Sequence, residues 1–129
     1  MTNIAKLYAQ VLGIVLTAVG ILGFIPALSS DGNLLGIFAI NPAHNVVHLL
    51  SGIVGLAAGF FGSGQYARWY AGVFGVVYGL VTVVGFIQAT TVLGIIPVNL
   101  PDNLLHTAIA IVSLVVFFIS APRSKAAVA

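Results

Sequence analysis

Three histidines and two aspartates are the only side chains here with acid–base or metal-ligating chemistry at ordinary strength, since there is no cysteine. His44 and His48 are four residues apart, and so are Asp102 and His106 further on. Residues four apart share one face of a helix. If the two helices that carry them meet, three imidazoles and one carboxylate converge. The set His44, His48, Asp102 and His106 is then able to bind a divalent transition metal such as zinc. His48 and His106 alone, facing each other, are able to ligate a haem or another tetrapyrrole from both sides. The His44–His48 spacing matches the two histidines of the zinc-protease motif H-E-x-x-H. Asn45 stands where that motif has its glutamate, so metalloprotease chemistry is not supported.

The residues around the histidines have a plain structural reading. Asn45 and Asn103 each lie three positions before a histidine and form a structural polar pair, whose amides can bond their own histidine or a facing helix. Asn41 and Asn99 read as helix caps, with Pro42 at a first helical position, where its missing N–H costs nothing. Asp102 suits the positive end of a helix dipole. Three uses of the Asn/His runs therefore stand side by side: tying helices together, holding a metal or haem, and lining a proton or solute path.

What positions these residues is a set of apolar helices. Of the 129 residues, 60% are hydrophobic and 5% charged, and the mean hydropathy is +1.20. A soluble domain carries about 25% charged residues, so the outer surface of this chain is built for lipid. The net charge of +2 rests on four basic residues near segment ends and gives no nucleic-acid signal. The expected fold is an all-α membrane protein with one transmembrane domain over residues 1–129. Its first apolar segment is read as Leu7–Leu28, long enough at about 1.5 Å per residue to cross about 30 Å of hydrocarbon. It is also too long for the apolar region of a signal peptide.

A short apolar stretch, Leu34–Ile40, too short to span, is expected to lie in the membrane interface or over the helix ends. A second helix follows from Pro42 to about Gly62. A tight turn, Gly62-Ser63-Gly64-Gln65, leads to a third, opened by Arg68, Trp69 and Tyr70 as an interfacial anchor cluster and running to about Thr90 or Leu93. Another short apolar loop, Gly94–Val98, precedes a fourth helix from about Pro101 to Ala121, stopped by Pro122-Arg123-Ser124-Lys125.

The chain repeats itself. Tyr8-Ala9-Gln10-Val11-Leu12-Gly13 matches Tyr70-Ala71-Gly72-Val73-Phe74-Gly75, Gly23-Phe24-Ile25 matches Gly85-Phe86-Ile87, and Leu35-Gly36-Ile37 matches Leu93-Gly94-Ile95. The two Asn/His runs follow in step, with His44 replaced by Asp102. This predicts two helical hairpins, about 7–62 and 68–121, arranged as parallel repeats about an axis along the membrane normal. Lys6, Arg68, Arg123 and Lys125 fall at the N-terminus, the central turn and the C-terminus, while the long loops carry only Asp31 and Asp102. The positive-inside rule then places both termini in the cytoplasm and the Asn/His runs at the outer face of a cytoplasmic membrane. Glycine stripes (Gly13 and Gly20; Gly52, Gly55 and Gly59; Gly72, Gly75 and Gly79) are expected to let helices approach within the bundle, or to form an oligomerisation face.

Thr17, Tyr78, Thr82 and Gln88 are further polar residues within helices. Tyr78 and Thr82, one turn apart, continue a polar track inward from the histidines, unless such hydroxyls bond their own backbone. No membrane-embedded acid or base other than histidine is present, which disfavours proton-coupled transport. There is no nucleophile–base arrangement, no phosphate-cradling glycine loop and no nucleotide motif, so an enzyme is not expected.

The aromatic-led, glycine-spaced first helix, the L-G-I loop and the N-P-A-H-N-x-x-H-x-x-x-G run resemble the small four-helix bacterial membrane proteins grouped as domain of unknown function 4383, over about Tyr8 to Ser120. The resemblance implies topology and a bacterial membrane setting, and no activity. The function expected is that of a non-enzymatic accessory or interaction component in contact with the lipid bilayer and with other membrane-protein subunits or further copies of itself. A haem- or metal-binding protein, and a minor channel or carrier, are the alternatives.

Overall fold

The computed structural model describes residues 3–62 and 64–122. Four helices, α1 (Ile4–Leu22), α2 (Pro42–Phe60), α3 (Gln65–Gln88) and α4 (Leu100–Ile119), are each long and apolar enough to cross a membrane. The fold is all-α in its main elements, as expected. Arg123, Ser124 and Lys125 of the expected helix stop, and Ser63 of the central turn, lie outside the described residues.

Several boundaries move, each for a local reason. α1 begins at Ile4, because Asn3 caps it by accepting from Lys6 N. It ends at Leu22 rather than Leu28. Pro26 forces Ile25 into an extended conformation (φ −90°, ψ 112°) and opens a short 3₁₀ turn instead. α3 starts at Gln65, before the Arg68-Trp69-Tyr70 cluster, and stops at Gln88, since Ala89 takes a positive φ of 67°. The anchor reading holds only partly for that cluster. Trp69 is exposed, but Tyr70 is buried and donates to the Ser51 carbonyl at 2.9 Å. Arg68 closes the far end of α4, donating to the Phe117 carbonyl at 3.1 Å while its guanidinium stacks on the Phe117 ring.

The two short apolar stretches between helices are β-hairpins. β1 (Asn33–Leu34) pairs antiparallel with β2 (Phe38–Ala39), and β3 (Thr91–Val92) with β4 (Ile96–Pro97). Each turns on two residues of positive φ, Leu35-Gly36 in the first and Leu93-Gly94 in the second, the pattern of a mirror-image tight turn. A leucine at the first of these positions is not a usual signal for such a turn, which is why the stretches read as plain loops.

Polarity is arranged inside out relative to a soluble protein. Leu7, Ile14, Leu50, Ile53, Leu80 and Ile111 point outward, while His44, Asn45, His48, Ser51, Asp102, Asn103, His106 and Ser113 are buried. One apolar core draws on all four helices through Ala9, Leu16, Ala58, Tyr70, Tyr78 and Ile109. The glycine stripes act inside this bundle. A Cβ on Gly13 would strike the backbone of Gly55 and Leu56, and one on Gly52 the backbone of Thr17, so α1 and α2 touch at backbone distance. Gly72 and Gly75 instead make room for side chains of α4, those of Phe117 and Leu114. Asn3, Gly64, Arg68 and Ser120 line one cleft, so the start of α1, the central turn and the end of α4 share one end of the bundle.

Candidate functional site

The opposite end is built around the starts of α2 and α4. Asn41 caps α2 by accepting from His44 N at 2.8 Å, and Asn99 caps α4 by accepting from Asp102 N at 3.0 Å. Each asparagine also spends its amide N–H across the bundle. Asn41 Nδ2 donates to the Ile95 carbonyl at 2.9 Å, and Asn99 Nδ2 donates to the Ile37 carbonyl at 2.8 Å. Each helix start is thus tied to the hairpin that leads into the other. Sequence reasoning found the caps and missed the crossing bonds. Their signal was the matched placement of Leu35-Gly36-Ile37 and Leu93-Gly94-Ile95 ahead of the two asparagines.

This clamp holds α2 and α4 so that their inward faces meet. His44 and His48 project from adjacent turns of α2, with ring centroids 4.4 Å apart. His106 of α4 completes the group, 5.6 Å from His44 and 6.0 Å from His48. One ligating nitrogen from each ring can be chosen so that all three lie within 4.8 Å of one another. The rings are 1–3% exposed. Both nitrogens of His44, both of His48 and Nδ1 of His106 have no hydrogen-bond partner. The backbones of Ala39 and Pro97 lie beside His44 but outside hydrogen-bond geometry. Tyr78 stands next in line, its ring centroid 5.5 Å from that of His106 and its hydroxyl beside the Ser51 side chain but outside hydrogen-bond geometry.

Asp102 does not join the three imidazoles, and its place among the candidate ligands is corrected. Its Oδ2 accepts from Asn99 N at 3.0 Å, forming a capping box, and from Ala39 N at 3.0 Å. The position matching Ala39 in the second hairpin is Pro97, which has no N–H to satisfy. The helix position facing a proline therefore needs no acceptor, and at position 44 a histidine stands where the carboxylate would be. The break in the sequence repeat has this physical cause.

For Asn45 and Asn103 one of the two expected uses is not seen. They do not hydrogen-bond the histidines, and their Oδ1 atoms have no partner. Each packs against a glycine of the preceding hairpin arm, Asn45 on Gly23, the residue that closes α1, and Asn103 on Gly85 of α3. Of the lesser candidates, Thr17 and Thr82 have hydroxyls with no partner, and Gln88 accepts from Leu93 N at 2.7 Å, bracing the second hairpin.

Residues 6–119 match the family described as Domain of unknown function (DUF4383). The chain belongs to the DUF4383 family. No curated protein and no solved structure matches it. Membership brings no activity, so the chemistry of the site rests on its own residues.

Two ligands were in view from the sequence, and the geometry separates them. A tetrapyrrole needs a flat slot between two imidazoles. His44 fills the space beside the His48–His106 pair, and all three rings are packed to 3% exposure or less. The residues do not fit haem. A single ion fits. Imidazole nitrogens on a tetrahedral zinc lie about 3.3 Å apart for bonds of about 2.0–2.1 Å. The three nitrogens already lie within 4.8 Å of one another on the two helix starts, which is the order of separation one ion needs.

Proposed function

We propose that this membrane protein is a non-enzymatic accessory component that holds one transition-metal ion on His44, His48 and His106. One observation carries the reading: five imidazole nitrogens buried in one place with no hydrogen-bond partner. A buried polar group left unpaired costs about 1–3 kcal/mol. Buried polar groups are as a rule hydrogen-bonded, so a cluster of unpaired nitrogens calls for something that completes it, and an ion is one group able to do so. A structural tie between helices would pair the nitrogens with donors or acceptors across the interface, and the ties at this end run instead through Asn41, Asn99 and Asp102. The site offers no nucleophile, no carboxylate base and no open approach, so the reading is binding and not catalysis.

The wider setting is part of the same proposal. The chain is two parallel-repeat hairpins in a cytoplasmic membrane of a bacterium, with both termini inside and the histidines near the outer face. The reciprocal bonds of Asn41 and Asn99 support the repeat arrangement. The shared cleft of Asn3, Gly64, Arg68 and Ser120 supports a common side for the ends of the chain, and the placement of Lys6 and Arg68 supports the cytoplasm as that side.

The test is elemental analysis of the full chain purified in detergent after loading with zinc or copper salts and removal of free ion. One ion per chain is expected. His48→Ala and His106→Ala are expected to lose it while keeping helical circular dichroism and a single size-exclusion peak. A wild-type chain that retains no metal overturns the reading.

A further inference from the structure

We infer that the metal this site is built for is copper in the cuprous state. The inference rests on the metal-binding reading above and names its ligand. Three features of the three-histidine pocket point the same way.

The first is charge. An imidazole binds a metal as a neutral ligand, and the one carboxylate near the pocket, Asp102, is engaged by Ala39 N and Asn99 N. The three ligands add no charge of their own, so the ion with its ligands carries the ion's full charge among rings that are 1–3% exposed. Burying a charge away from water is costly, and the Born cost grows with the square of the charge, so a divalent ion pays about fourfold more than a monovalent one.

The second is the field of the helices. α2 begins at Pro42 and α4 at Leu100, so His44, His48 and His106 all sit within the first two turns of helices whose positive ends lie here. That field opposes any cation and opposes a divalent one twice as strongly.

The third is coordination number. Zinc in proteins is almost always four-coordinate, and cupric ion favours a tetragonal set. The pocket supplies three nitrogens within 4.8 Å of one another, and its burial withholds water as a fourth. Cuprous ion accepts a three-coordinate, trigonal set of nitrogens.

The experiment uses the full chain in detergent under anaerobic conditions. Cuprous ion is titrated against a coloured cuprous chelator of known affinity, and zinc sulfate against a zinc-sensitive dye, followed by competition of each ion against the other. The expected result is one cuprous ion per chain, held at least about tenfold more tightly than zinc, with an X-ray absorption spectrum of a three-coordinate, nitrogen-only copper site. Zinc binding at one per chain and displacing copper overturns this inference and leaves the metal-binding reading standing. Binding of neither ion overturns both.

Discussion

His48 on α2 and His106 on α4 face each other with ring centroids 6.0 Å apart, although 57 residues lie between them in the chain. His44 stands against both. Beside the group, two asparagines, each capping its own helix, reach across to the opposite hairpin.

Metal retention is expected to fall as pH falls. A histidine nitrogen must be unprotonated to ligate, so protons compete with the ion for the same atoms. Equilibrium dialysis of the loaded chain across a falling pH series should show release, with reloading when pH is restored. Retention unchanged down to the point of unfolding would speak against imidazole ligands.

Asp102→Ala is expected to destabilise the chain by about 1–3 kcal/mol, through loss of the capping box and of the acceptor for Ala39 N. Asp102→Asn keeps one oxygen for the same N–H groups and should cost less. Neither is expected to change metal stoichiometry. Thermal unfolding in detergent with elemental analysis checks both, and loss of metal in a folded Asp102→Asn protein would return the carboxylate to the ligand set.

Asn41→Ala and Asn99→Ala should each cost about 1–2 kcal/mol, as helix caps do. Because each also removes a bond to the other hairpin, the double variant should loosen the histidine end specifically. Hydrogen exchange should rise at 33–48 and 91–106 while the middles of α1 and α3 stay protected.

Gly52→Ala and Gly79→Ala make a contrasting pair. A Cβ at Gly52 would meet the Thr17 backbone, with Cα at 2.8 Å, whereas at Gly79 its nearest neighbour is the Ala110 Cβ at 4.0 Å. The first should destabilise by about 1–3 kcal/mol through overpacking. The second should leave the melting temperature unchanged or raise it. Equal effects would mean that α1 and α2 do not meet at backbone distance.

Because the chain has no cysteine, single-cysteine variants report its sidedness directly. Asp31→Cys should react with an impermeant maleimide from outside intact cells, and Gln65→Cys only after permeabilisation. The reverse pattern would invert the proposed orientation.

The amino-acid sequence by itself determined the four apolar helices, the caps of α2 and α4, and the residues worth watching. These are local properties: run length, the asparagine-proline starts and the four-residue spacing of His44 and His48. It also held the duplicated pattern that the crossing asparagines now connect. It did not determine where Pro26 ends α1, that Leu34–Ile40 folds into a hairpin, or that Tyr70 turns inward, because each depends on backbone conformations or neighbours that composition does not specify. Above all it could not separate Asp102 from the three imidazoles. Asp102 and His44 occupy matching positions and read as equals in the chain. Only the tertiary structure shows that one faces the N–H of Ala39 and the other a proline with none to give. That difference in a single backbone donor sends the carboxylate to the hairpin and leaves His44 with His48 and His106.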